Sequence, residues 1–207
     1  MLKKFGRPRV IILTLLILIC LAVGGASWLG YRLFVTPSDA PYLRRTVRIL
    51  PIPAARVGSR FVLYREYLAH LDAAERFLSG PAARAQGLPA TVTADIRLRV
   101  LDQTLRIAAV EELSRAAGLV VTPLDVDRTY EDLVARAGTS TTPEEIRQFL
   151  DVQFGWDEAS FKRYVVRPAL LEDALRQKKA RETQDPQAFD RDLETRLSKP
   201  DVVRYVR

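Results

Sequence analysis

The stretch VTADIRLRVLDQTLRIAAVEELSRAAG, Val92 to Gly118, decides the fold. Ile96, Leu98, Val100, Leu101, Leu105, Ile107, Val110 and Leu113 recur at helical spacing and cover well over half of a helix circumference. The spacing predicts a helix over about 92 to 117, with Thr91 as its candidate cap and Gly118 as its stop. A helix that is apolar on several sides must be covered on several sides. It therefore belongs in the middle of a bundle.

The flanking segments supply the cover. Upstream, Tyr64, Tyr67, Leu68, Leu71, Ala74 and Leu78 fall at three- and four-residue steps, and Gly80-Pro81 ends that helix. Residues 82 to 90 read as a connection of small residues punctuated by Gly and Pro. Before them, Val47, Ile49, Ile52, Ala55 and Val57 have strand character, and Gly58-Ser59 is a two-residue turn leading into Phe61-Val62-Leu63, so a small hairpin is expected. Downstream, Thr122-Pro123 with Asp125, and Thr142-Pro143-Glu144-Glu145, each combine a cap, a first-turn proline and a first-turn acid. Glu145 is placed to close a capping box. Asp157 caps a last long helix carrying Phe161, Tyr164, Val165, Leu171 and Leu175, which Pro168 is expected to kink or briefly break. Residues 188 to 197 suit one more helix, and Val202, Val203, Tyr205 and Val206 a terminal strand. The fold class is all-α, mainly helical, with a small β-hairpin.

Outside this bundle lies Val10 to Leu29, twenty residues without a charge, preceded by Lys3, Lys4, Arg7 and Arg9. At about 1.5 Å per residue a helix of that length crosses the roughly 30 Å hydrocarbon core of a bilayer. The basic residues on its amino side place the N-terminus in the cytoplasm. A cleaved signal peptide is the competing reading, with Gly24, Gly25 and Ala26 offering small residues to a peptidase. The run continues past them through Trp28 and Leu29, which favours an uncleaved anchor, and both readings export the rest of the chain. The expected organisation is a cytoplasmic tail over 1–9, a transmembrane anchor over 10–29, a proline-rich linker over 30–53, a helical domain over 54–185 and a C-terminal helix and strand segment over 186–207.

The formal charge of +7 resides mostly in the N-terminal part. The first 32 residues hold five of the 32 basic side chains and none of the 25 acidic ones, which leaves 27 against 25 in the remainder. Such a balance argues against nucleic acid as a partner. Cys20 is the one cysteine, so the chain forms no internal disulfide and depends on a hydrophobic core, for which about 155 residues suffice.

Catalytic chemistry has little to work with. His70 is the one imidazole and reads as a packing or surface residue, and no closed zinc site is expected from one imidazole and one thiol. Asp125-Val126-Asp127 lacks the further ligands of a calcium loop and fits a helix start. Glu111-Glu112, Glu144-Glu145 and Glu172-Asp173 are adjacent and point about 100° apart on a helix, which reads as solvated faces. The basic run Arg176 to Arg181 suits a helix C-terminus, with anionic lipid as the alternative contact. The expectation is a protein without enzymatic activity, cofactor or metal.

Three segments carry a family resemblance. Ala55-Arg-Val-Gly-Ser-Arg-Phe-Val-Leu63 resembles the hairpin that opens the N-terminal domain of SurA-like chaperones, with Gly58-Ser59 where Asn-Gly is usual. Ala117-Gly-Leu-Val-Val-Thr-Pro123, with Asp125 and Asp127 after it, is similar to that family's Gly-Ile-x-Val-Thr segment before an acidic helix start. Phe154-Gly-Trp-Asp-Glu-Ala-Ser-Phe161 resembles the opening of its final long helix, in which Pro168 is unexpected. The resemblance covers about residues 54 to 179. It implies a helical peptide-binding domain of the SurA, PpiD and trigger-factor kind at a bacterial inner membrane. The short stretch after Lys179 lacks the His and Gly-rich features of a parvulin domain, so no isomerase activity is expected.

The candidate peptide-binding residues are Phe149, Phe154, Trp156, Phe161 and Tyr164, which concentrate aromatic area around one helix junction. Their alternative role is the core between the last two helices. Two functions are compatible with these features. One is a single-pass, membrane-anchored chaperone whose periplasmic or otherwise extracytoplasmic domain holds unfolded or nascent exported polypeptides, in reach of a translocon. The other is an adaptor docking a folded partner in an envelope or secretion complex.

Overall fold

Gly58 and Ser59 turn the chain between β1 (Pro53–Val57) and β2 (Arg60–Leu63), and Gly58 takes the left-handed conformation at φ 57° that the tight turn requires. The computed structural model describes residues 50–136 and 142–206. Val10 to Leu29 and most of the linker lie outside these residues. Among the described residues no helix is long and apolar enough to cross a membrane.

The hairpin is joined by a third strand, β3 (Val202–Arg204), in the order β2-β1-β3, all antiparallel. β1 is thus the central strand, pairing Ala55 with both Val62 and Arg204, and Val57 with both Arg60 and Val202.

The remaining chain is helical. α1 (Tyr64–Ser79) ends at Gly80 as its sequence predicts. The connection after it is not wholly irregular, because Pro81 opens a single turn, α2 (Pro81–Ala85). Proline's fixed φ and missing N–H suit a first helical position, and three alanines follow it closely. The central helix α3 (Ala94–Ala116) begins two residues later than expected: Thr93, not Thr91, accepts the Ile96 N–H at 3.4 Å.

α4 (Pro123–Arg136), α5 (Pro143–Phe154) and the last long helix start where their caps lie. Thr142 Oγ1 accepts the Glu145 N–H at 3.2 Å while Glu145 accepts the Thr142 N–H at 2.6 Å, closing the capping box. Asp157 accepts the Ser160 N–H at 2.8 Å.

Pro168 does not break the last helix. α6 (Glu158–Phe161) runs through a π-helical turn (Lys162–Val166) into α7 (Arg167–Thr183). A proline has no N–H and its ring collides with the carbonyl four residues back, here that of Tyr164. The widened turn, in which Arg167 N–H reaches Lys162 O five residues back, absorbs the misfit with helical backbone angles on both sides. α8 (Ala188–Leu197) follows.

The core forms where α3 is covered by the sheet, α1, α7 and α8. Ala54 and Ala55 of β1 and Ala108 and Ala109 of α3 are almost wholly buried, and such small residues let a strand approach a helix closely. Phe189, Leu193 and Val206 belong to the same core, so the chain beyond residue 186 is built into it. Leu98, in contrast, stands exposed near the amino end of α3, where the cover thins.

The charged residues of α3 also correct their reading as a solvated face. Glu111 receives Arg60 and Arg167, both at 2.6 Å, while Glu112 receives Arg196 at 2.8 Å. Two adjacent carboxylates point in different directions, and around a central helix both directions are occupied. Glu172 likewise bonds Arg106 at 2.7 Å.

The basic run on α7 is engaged within the fold. Arg176 binds Asp190, Lys179 binds Asp192, and Lys178 donates to Ala117 O at 2.8 Å, satisfying one carbonyl left open at the end of α3.

Arg196 is buried and clamps three segments, holding Glu112 and also Asp201 at 2.9 Å. The hairpin turn presses on this clamp: a Cβ at Gly58 would lie 2.5 Å from Arg196 Nη2 and 2.7 Å from Glu112 Oε1. Gly58→Ala is therefore expected to lower stability by about 2 kcal/mol, through the positive φ and displacement of the clamp. Urea denaturation checks this, with Ser59→Ala as the control expected to stay within about 0.5 kcal/mol.

Candidate functional site

The junction of α1 with the start of the last helix is fixed by backbone capping. α5 ends in Gly155, at φ 67°, and Arg76 of α1 donates to Val152 O at 3.2 Å there. Trp156 Nε1–H donates to Ala69 O at 3.3 Å, drawing the loop onto α1.

These anchors align a row of rings. Phe149 meets Phe154 with centroids 6.0 Å apart, and Phe154 stacks on Phe77 at 5.9 Å and on Trp156 at 5.7 Å. Trp156 continues to Tyr164 at 6.1 Å, and His70 contacts both, at 5.9 Å and 5.3 Å. Such contacts contribute about 0.5–1.5 kcal/mol each beyond the area they bury. Four of the five residues singled out in the sequence, Phe149, Phe154, Trp156 and Tyr164, stand in this one row. Phe161 does not. It packs on Tyr130 at 6.2 Å, where Lys162 also lies 4.6 Å over the Tyr130 ring, and holds α4 against the π-helical turn.

The row is neither fully buried nor fully open. Phe154, Trp156 and Tyr164 are half-buried, while Phe149 is 55% exposed beside Val152 at 53%. Beside them runs a groove of about 810 Å³ between α1 and the loop at Gly155. Phe154, Trp156 and Tyr164 line it, and Arg65, Asp72, Glu75 and Arg76 supply both signs of charge along it. An extended apolar segment laid in it would find rings to stack on and charges of either sign for its polar groups.

His70 and Phe77 join the row without a sequence signal of their own. The helical spacing places His70, Phe77 and Ala69 on α1 but does not say which neighbour they meet. Burial pushes the His70 imidazole down to about 4, so it is neutral at neutral pH and serves as one more ring in the row. Among the described residues no group of three or more His, Cys, Asp or Glu is placed to hold a metal ion. Asp125 sits at the start of α4, where it accepts from Thr122 N–H at 2.9 Å, and Asp127 pairs with Lys162 at 2.8 Å.

A second, more enclosed cleft of about 450 Å³ opens between β2, α3 and α7, on the far side of His70 and Tyr164. Arg60 and Val62 come from the hairpin segment and Leu119 to Val121 from the segment before α4, but nothing in the sequence shows that these meet Ser114 and Arg167 around one cavity.

No family model, curated protein or solved structure matches the chain.

Proposed function

We propose that the protein is a membrane-anchored, extracytoplasmic chaperone of the SurA-like kind that holds unfolded polypeptide without isomerase activity of its own. The observation that carries the reading is the row of rings from Phe149 to Tyr164, of which Phe154, Trp156 and Tyr164 line an open groove. Rigid aromatic side chains lose little conformational entropy on contact and accept many apolar partners, which suits a binder of varied segments. Charges of both signs along the groove suit clients of mixed composition. The apolar run Val10 to Leu29 supplies the anchor in this reading, and the order of motifs from Ala55 to Phe161 supplies the family likeness.

The test is aggregation of a denatured model protein in the presence of the full chain in lipid nanodiscs, with empty discs as the control. Suppression near stoichiometric ratios is expected. Phe149→Ser with Val152→Ser, both at exposed positions, should raise the amount needed about fivefold or more without changing helicity, and Trp156→Ala should do the same. If the folded chain never slows aggregation and crosslinking in membranes instead yields one stoichiometric partner, the protein is the docking adaptor.

A further inference from the structure

We propose that the cleft between β2, α3 and α7 is a second binding site, which takes the C-terminal carboxylate of an apolar polypeptide segment. The proposal rests on the reading of the protein as a polypeptide binder and assigns a ligand group to a part of it that the aromatic row does not explain.

The cleft has unused donors. Ser114 is 1% exposed and lines it, yet its hydroxyl has no hydrogen-bond partner among the described residues. Arg60 also lines it, and its buried Nε has no partner among the described residues either, although the same guanidinium pairs with Glu111 through Nη2. Buried polar groups are nearly always satisfied, so two orphans in one cavity point to a ligand that accepts hydrogen bonds.

The charge count has the same direction. Arg60, Arg115, Arg163 and Arg167 line the cleft against Glu66 and Glu111. Glu111 is shared by Arg60 and Arg167, and Glu66 accepts the Leu63 N–H at 3.2 Å and lies 3.8 Å from Arg163. Arg115 has no carboxylate partner among the described residues, and the cleft keeps an excess of two positive charges. An anion is the complement.

The rest of the lining limits that anion to one on an apolar body. Val62, Ile107, Leu119, Val121 and Leu171 form the walls, which a multiply charged phosphate chain would leave unfilled while losing its own hydration.

Two features select a polypeptide as the source. Arg163 and Tyr164 line both this cleft and the aromatic groove, so one extended chain can occupy the two in succession. β2, which brings Arg60 and Val62 to the cleft, is an edge strand of the sheet among the described residues, and edges of this kind accept the backbone of an added segment.

The experiment uses fluorescence anisotropy of an N-terminally labelled apolar peptide of about ten residues, as free acid and as C-terminal amide. It is titrated against the full chain in neutral-lipid nanodiscs, with decanoate as a third ligand. The acid is expected to bind about tenfold tighter than the amide, and Arg115→Gln to reduce that ratio to about two while leaving amide affinity unchanged. Ser114→Ala should reduce it further. Equal affinity for acid and amide, with both weakened by Trp156→Ala, would overturn the carboxylate site and leave the aromatic groove standing. Decanoate binding without binding of either peptide would overturn the polypeptide source in favour of a fatty acid. Absence of binding by all three would overturn both readings.

Discussion

Phe189→Ala is expected to lower the unfolding free energy by about 3–5 kcal/mol, the range for deleting a fully buried aromatic side chain whose site cannot collapse. Phe189 is 1% exposed in the cluster that contains Leu101, Leu105, Leu175 and Leu193. Arg176 stacks over its ring at 4.4 Å and Arg106 approaches at 5.9 Å, so truncation also removes the surface on which two guanidinium groups rest. Those two arginines bind Glu172, and their displacement would loosen α3 from α7 as well as α8 from both. Urea denaturation followed by far-UV circular dichroism measures the loss. Phe149→Ala is the contrast: at 55% exposure it should cost no more than about 0.5 kcal/mol. A small loss at Phe189 would mean that the last helix is not part of the cooperative unit.

Acid should destabilise the protein through His70. Its folded pKa is about 4 against an ordinary value of 6.5. Between those values the unfolded chain binds a proton that the folded one refuses, so stability falls as pH falls through the window and changes little above it on account of this group. The full loss by pH 4 is about 3 kcal/mol, because each pH unit between the two values removes about 1.36 kcal/mol. The exposed capping carboxylates Asp125, Glu145 and Asp157 are held below the ordinary carboxylate range, chiefly by hydrogen bonds from Thr122, Thr142 and Ser160, and their effect begins at lower pH. Denaturation midpoints measured from pH 7.5 to 4 should show the slope, and His70→Phe, which keeps a ring against Trp156 and Tyr164, should flatten it. A slope unchanged in His70→Phe would assign the acid sensitivity elsewhere.

Helix ends are readable in the sequence because capping chemistry is local: Thr122, Thr142 and Asp157 each act on an N–H within three residues. The two-residue hairpin turn is local in the same sense. The partners of charged side chains are not readable, because Glu111 and Glu112 have the same spacing whether their helix faces water or three neighbours. Pro168 shows the intermediate case, in which the disturbance is evident from the residue alone but its resolution as a wide turn depends on what packs around Tyr164. The site divides along the same line. Phe149, Phe154, Trp156 and Tyr164 lie close together in the chain and stand out as a cluster, whereas His70 and Phe77 reach it across the fold. Ser114 and Arg60 of the second cleft come from different elements and become neighbours only when β2 lies against α3.

The central position of β1 sets a schedule for the making of this protein. Val57 pairs with Val202, about 145 residues later, and at synthesis rates of about 5–20 residues per second the two are made roughly 7 to 30 s apart. Through that interval one edge of the strand has no partner, and Phe189, Leu193 and Val206 are not yet there to close the core over Leu101 and Leu105. A protein proposed as a guardian of unfinished chains is therefore itself unfinished until the strand at Val202 has been made and paired.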